Sequence, residues 1–215
     1  MIIIYYTKLD AFLWKNIKHK INILSVDGKD RLMSLRHDID RCRTLCGKIL
    51  LLHLLQQYTK WDINALPELK YNKYGKPYLS KLGGYFNISH SGSYIICAYS
   101  PDINIGIDIE EITEIDIDEY AQVLTYREYE YLRNGNNQDF FKLWTIKEAV
   151  MKADGRGFSL DPRTIDLMDD EKTITLGNNI WHILQLEIDI HYKSYLASGV
   201  NTEPIIEEIS PESLT

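Results

Sequence analysis

Asn104-Ile105-Gly106-Ile107-Asp108-Ile109-Glu110-Glu111 follows Ile103 and alternates apolar with polar or small residues throughout. A period of two predicts a strand, with the isoleucines on a core face and Asp108 and Glu110 together on the other. Two adjacent carboxylates repel each other and lose hydration when partly buried, so the face calls for positive charge. A divalent cation held by oxygen ligands is one answer. An edge strand with a solvated acidic face is the other. The spacing leaves both open.

The chain around this strand has 215 residues, 45% hydrophobic and 26% charged, which suits a globular enzyme of one large domain or two small ones. No apolar run is long enough to span a membrane, and the opening Met1–Tyr6 reads as a strand, not a signal peptide. Three cysteines, Cys42, Cys46 and Cys97, with no disulfide framework, fit a reducing cytoplasm and buried thiols. A net charge of −7 disfavours nucleic acid as a partner.

Upstream, residues 1–8 read as a strand and about 40–58 as a helix, with Leu45, Ile49, Leu52 and Leu55 at helical spacing and Arg43, Thr44 and Lys48 in its early turns. Pro67 marks a loop. The turn Tyr74-Gly-Lys-Pro77 exposes amides beside the Lys76 ammonium, which suits phosphate or is merely a turn. In Ile88-Ser-His-Ser91, adjacent strand residues face opposite ways, so a Ser89–His90 catalytic dyad is geometrically poor; a hydrogen-bonded turn or a phosphate contact fits better.

Downstream, Thr125 and Glu128 read as the capping box of a helix over 124–132. Residues 140–154 read as a second helix, ended by Gly155-Arg-Gly157, with Trp144, Glu148 and Lys152 at four-residue spacing on one face. A surface ion pair is the plain reading of Glu148 and Lys152. Strands are predicted at 173–176, 181–190 and 192–200. Glu203–Glu212 carries four glutamates and no basic residue, which predicts a solvated, mobile tail. In both halves a helix with basic residues leads to a Gly/basic loop and then to strands. This predicts an α+β fold of two similar αβ halves, residues 1–101 and 102–200, with a site between them and an acidic tail at 201–215. Asp108, Glu110 and Glu148 would supply three hard ligands, and Lys76, His90, Lys152 and Arg43 several cations, an inventory for moving phosphate.

Ile88-Ser-His-Ser91, Gly106-Ile-Asp-Ile-Glu110 and Trp144-x-x-Lys-Glu-x-x-x-Lys152, in this order, resemble the signature of the Sfp-type 4′-phosphopantetheinyl transferases. Tyr74-Gly-Lys-Pro77, Arg43-Thr-x-x-Gly47 and Arg156-Gly-Phe-Ser159 are similar to that family too. The resemblance runs from about residue 30 to 160. It implies two αβ halves with coenzyme A held between them. It implies an enzyme that moves the phosphopantetheine arm onto a serine of an acyl or peptidyl carrier protein and releases adenosine 3′,5′-bisphosphate. By the same resemblance Asp108, Glu110 and Glu148 match the Mg²⁺ ligands and Lys152 the lysine beside the phosphates. Arg31, Arg43, Lys76, Ser89, His90 and Lys152 match coenzyme-A contacts. The family tends to carry two basic residues near the 3′-phosphate; Arg31 fits one, and Gly28, next to Lys29, falls at the other. The expected form is a monomer, with the Tyr120–Leu132 segment, including Arg127, and the adjacent Arg133 as a carrier-docking candidate. Two other classes stand beside this one: a metal-dependent nuclease and a non-catalytic coenzyme-A or carrier-binding protein.

Overall fold

The computed structural model describes residues 1–9, 14–59, 66, 69–80, 83–168 and 170–214; the loop expected at Pro67 lies outside them. Strand β1 (Ile3–Lys8) is followed by the single turn α1 (Trp14–Ile17) and the helices α2 (Val26–Met33) and α3 (Asp38–Tyr58). A small hairpin, β2 (Lys70–Tyr71) and β3 (Pro77–Tyr78), precedes β4 (Tyr85–Ser91), β5 (Tyr94–Ser100) and β6 (Ile105–Glu111). Helices α4 (Tyr126–Arg133) and α5 (Asn137–Asp154) lead to β7 (Thr173–Leu176), β8 (Asn179–Gln185), β9 (Tyr192–Ser198) and β10 (Ile205–Glu208).

Two four-stranded sheets result, in the orders β10-β1-β5-β4 and β6-β9-β8-β7. Every pairing in them is antiparallel except β1 with β10. The period of two sorts each strand between two cores. Ile3, Tyr5, Ile95, Cys97 and Tyr99 face the leucines of α3, whereas Ile2, Ile4, Tyr94, Ile96 and Ala98 meet Ile105, Ile107 and Ile109 of the other sheet. Helix α5 covers the far face of the second sheet through Ile146, Ala149, Val150 and Ala153. The layers therefore run α3, sheet, sheet, α5. Strand β5 is buried along all seven residues because it is covered on both faces, which is why Tyr94–Tyr99 reads as a continuous apolar run.

Gly106 decides how closely α5 approaches. A Cβ there would fall inside the van der Waals shell of the Ala149 carbonyl and the Ala153 amide, so helix backbone lies directly on strand backbone. That contact brings the β6 residues facing away from the isoleucines under the helix.

Two expectations change. The strand foreseen at 181–190 stops at Gln185, because Asp189 turns the chain by accepting the His191 amide and the Tyr94 hydroxyl. The C-terminal segment stays largely exposed but is not a free tail. Ile205–Glu208 pairs in parallel with β1, and Leu214 is 1% exposed in the α3 core. Its apolar residues, Ile205, Ile206, Ile209 and Leu214, were outweighed in the sequence reading by the glutamates between them. The three cysteines are buried free thiols.

Candidate active site

Strands β4 and β6 are the facing edges of the two sheets, and polar side chains join them where no backbone ladder does. The Ile107 amide donates to Asn87 Oδ1 at 3.0 Å, Ser89 Oγ donates to Asp108 Oδ1 at 2.6 Å, and Ser91 Oγ donates to Glu110 Oε2 at 2.8 Å. Ser91 Oγ also accepts the Glu111 amide. Asn87, Ser89 and Ser91 lie two apart, so all three project from one face of β4. His90 projects from the other, toward Arg43 of α3, as the alternation predicted.

Asp108 is 1% exposed and Glu110 half-buried, which removes the solvated-face reading of the strand. A carboxylate so deeply placed needs a partner. Lys152 supplies one: its ammonium lies 2.5 Å from Asp108 Oδ1, 3.0 Å from Ser89 Oγ and 3.8 Å from Glu148 Oε2. The Glu148–Lys152 pair is thus a half-buried pair within α5, and it is the Lys152–Asp108 contact that links helix to strand.

The charge balance is incomplete. Asp108 Oδ2 is buried without a hydrogen-bond partner. Burial and the Asp108 charge push the Glu110 carboxyl up to about 7, partly offset by Ser91 and Lys152. Burial likewise raises Glu148, with Lys152 opposing and Asp108 adding. Burial works against the Lys152 charge, but Asp108, Glu148 and Glu110 together outweigh it and hold that ammonium above its ordinary pKa. Carboxylates short of positive charge, offering only hard oxygen donors, suit a cation such as Mg²⁺. Among the described residues the three carboxylates are not drawn into a ready cluster of metal ligands, because Lys152 stands between Asp108 and Glu148.

On the far side of Lys152 the imbalance is reversed. His90 is held below its ordinary pKa by desolvation, then by the Arg43 and Lys152 charges. Arg43 donates to the Gly92 carbonyl at 2.5 Å and faces Asp40 at 3.7 Å. The cations Arg43 and Lys152, beside a His90 imidazole whose charged form they disfavour, offer a site for an anion. Further along α3, Thr44 and Lys48 line a cavity of about 280 Å³ with Arg31, Leu32, Leu35 and Tyr71. The Arg31 guanidinium pairs with Asp27 and lies 4.5 Å from the centre of the Tyr71 ring.

Lys76 does not join this cationic group. Its ammonium turns into the protein and donates to Asn104 Oδ1, the Ile105 carbonyl and the Ala153 carbonyl at 3.0 to 3.4 Å. The Gly-Lys-Pro turn, expected to offer this ammonium to a phosphate, here directs it to protein acceptors. Arg156 is likewise engaged, bidentate to Asp154.

Glu128 has two jobs. It closes the capping box with Thr125 at the start of α4, and its other oxygen lies 3.0 Å from Lys147 Nζ, both side chains 0% exposed. Lys147 also donates to the Pro162 and Ile165 carbonyls, tying α4 and the 157–165 segment to α5. The sequence reading missed this pair and Asn87, and it took Ser91 for a turn or phosphate contact; the Asn-x-Ser-x-Ser alternation is the signal that carries the latter two.

The profile of the 4′-phosphopantetheinyl transferase superfamily matches residues 104–203, and that of the 4′-phosphopantetheinyl transferase N-terminal region matches residues 14–102. The chain is 41% identical over 149 residues to 4′-phosphopantetheinyl transferase gsp of Aneurinibacillus migulanus, covering 65% of this chain and 61% of that one. It is 30% identical over 183 residues to 4′-phosphopantetheinyl transferase Sfp of Bacillus subtilis (strain 168), covering 80% and 81%. To 4′-phosphopantetheinyl transferase HetI of Nostoc it is 32% identical, covering 69% and 67%.

Proposed function

We propose that this chain, which belongs to the 4′-phosphopantetheinyl transferase superfamily, moves the phosphopantetheine arm of coenzyme A onto a serine hydroxyl of an acyl or peptidyl carrier protein. The observation that carries the reading is the position of Lys152. It lies between carboxylates in need of a cation, Asp108 and Glu148, and the side chains of Arg43 and His90, which can donate to an anion. A metal ion and a pyrophosphate together would satisfy both sides.

In this reading Arg43, His90 and Lys152 hold the phosphates, and the cavity beside Arg31, Thr44 and Lys48 receives the nucleotide end. Ser89 serves the site from the other face of β4, holding Asp108 and Lys152 in register. Asp108, Glu110 and Glu148 would hold Mg²⁺, which when bound supplies charge neutralisation at the pyrophosphate. The carrier serine oxygen forms a bond to the β-phosphorus while the bond from that phosphorus to the bridging oxygen breaks. The electron pair leaves on the 5′-phosphate of adenosine 3′,5′-bisphosphate, where Lys152 neutralises it. Glu148, raised by burial, would take the serine proton, directly or through a water.

No described helix is long and apolar enough to cross a membrane, and three buried free thiols fit a reducing compartment such as the cytoplasm. Tyr126 and Tyr131 are exposed on α4 and stand as candidates for carrier docking. The test is mass spectrometry of apo acyl and peptidyl carrier proteins after incubation with the protein, coenzyme A and Mg²⁺. Gain of the pantetheine arm supports the reading; no gain on any carrier, with coenzyme A intact, overturns it.

A further inference from the structure

The hairpin of β2 and β3 is small, polar and largely exposed, yet it reaches the two elements that carry the site. Lys76 donates at once to the Ala153 carbonyl in the last turn of α5, to the Ile105 carbonyl at the start of β6 and to Asn104 Oδ1. Asn72, across the same turn, donates from Nδ2 to the Gly155 carbonyl at 2.9 Å. Its Oδ1 accepts the amides of Tyr74 and Lys76, which fixes the turn itself. The last carbonyls of a helix have no partner within the helix, and the negative end of its dipole favours a cation. Gly155 ends α5 in a left-handed conformation, with φ at 85°, so the helix has a C-cap of its own only through the Gly155 amide to the Met151 carbonyl. The carbonyls of Ala153 and Gly155 are served from outside, by Lys76 and Asn72.

We propose that Lys76 is a positioning residue, which with Asn72 caps the end of α5 from a separate hairpin and ties that end to the start of β6. This goes beyond the transferase reading but rests on it for its effect on rate. Lys152 is one residue before Ala153, and Asp108 is three residues after Ile105. Fixing those two carbonyls around one ammonium fixes the separation of Lys152 from Asp108, the contact on which the site turns. A Cβ at Gly155 would meet Lys76 Cδ, so the glycine also lets the lysine stem pass close over the helix end.

The test uses the full chain with Lys76→Met and, as a variant that removes no charge, Asn72→Ala. Amide hydrogen exchange is measured along α5, coenzyme-A affinity by calorimetry, and transfer by steady-state rates. Both variants are expected to speed exchange in the last turn of α5 by about 10-fold. Lys76→Met is expected to lower kcat by about 10- to 100-fold, with coenzyme-A affinity held within about twofold. Weakened coenzyme-A affinity with exchange in α5 unchanged would make Lys76 a direct ligand of that substrate and overturn the proposal. If the wild type itself transfers nothing, the transferase reading fails on its own account, while the exchange result still decides whether Lys76 and Asn72 hold α5.

Discussion

The Lys152 ammonium lies 2.5 Å from Asp108 Oδ1, joining the strand that carries Asp108 to the helix that carries Glu148. One cation balances two carboxylates, and its pKa is held up by them against burial. Removing it takes away the partner of a buried carboxylate and, in the proposed reaction, the charge that would face the leaving phosphate. Lys152→Ala is expected to cost about 10²–10³ in kcat. Glu148→Gln, which keeps the shape but cannot accept the serine proton, is expected to cost about 10²–10⁴. Near wild-type transfer by Glu148→Gln in the carrier assay would rule out its role as base.

The carboxylates can be tested without any turnover. Asp108 Oδ2 is buried and unpartnered, and Glu110 and Glu148 are both raised by burial. Mg²⁺ is therefore expected to raise the thermal midpoint of the wild type, by an amount that grows with its concentration above the dissociation constant. Glu110→Gln and Glu148→Gln should flatten that rise. A midpoint indifferent to Mg²⁺ in the wild type would count against the proposed ligand set.

Gly106→Ala puts a methyl group into helix backbone at Ala149 and Ala153, where no flexible side chain can yield. Overpacking of this kind costs about 1–3 kcal/mol. Because the helix must lift away from β6, Lys152 and Glu148 move off Asp108, and activity should fall further than stability. Urea denaturation beside the transfer rate measures both; a folded variant with full activity would show that close approach is not needed.

The Glu128–Lys147 pair is fully buried, so losing one member leaves the other uncompensated. Glu128→Gln is expected to destabilise by about 3–5 kcal/mol. Replacing both with apolar residues of similar volume should recover most of that loss, since it also removes the desolvation cost. A chemical-denaturation cycle over the single and double variants gives the comparison.

Lys76 gives a pH dependence with a definite sign. Burial lowers its ammonium from 10.5 to about 8, while Asp154, facing it from α5 and itself paired with Arg156, pulls the other way. Between about 8 and 10.5 the unfolded chain keeps a proton that the folded protein has released. The unfolded state then binds more protons, and stability rises with pH across that window. Below about 8 the cost of burying the charge is present in full. The stability of the wild type relative to Lys76→Met should therefore increase from pH 8 toward 10.5, measured by denaturant titration at fixed ionic strength. A difference that shrinks with pH would show that the ammonium is stabilised, not penalised, where it lies.

Much of this molecule is written in short-range pattern. The alternation from Ile103 to Glu110 determined a strand with isoleucines inward and carboxylates opposite, because side chains on a strand alternate whatever surrounds it. Helical spacing determined that Glu148 and Lys152 share a face, and Thr125 with Glu128 determined where α4 begins. These features depend on residues within one turn or one strand of each other, so the sequence holds them locally.

Tertiary structure alone decided what those faces meet. That Asp108 is buried and not solvated follows from Gly106 letting α5 lie on β6, and from β4 closing the edge with Asn87, Ser89 and Ser91. That Lys76 serves a helix end, that Lys147 finds Glu128, and that an acidic C-terminal segment returns to pair with β1 are contacts between residues far apart in the chain. A lysine in a turn carries the same local signal whether its charge goes to water, to a phosphate or to a helix carbonyl. Which acceptor it meets is set by the packing of the two sheets, and no window of sequence contains that.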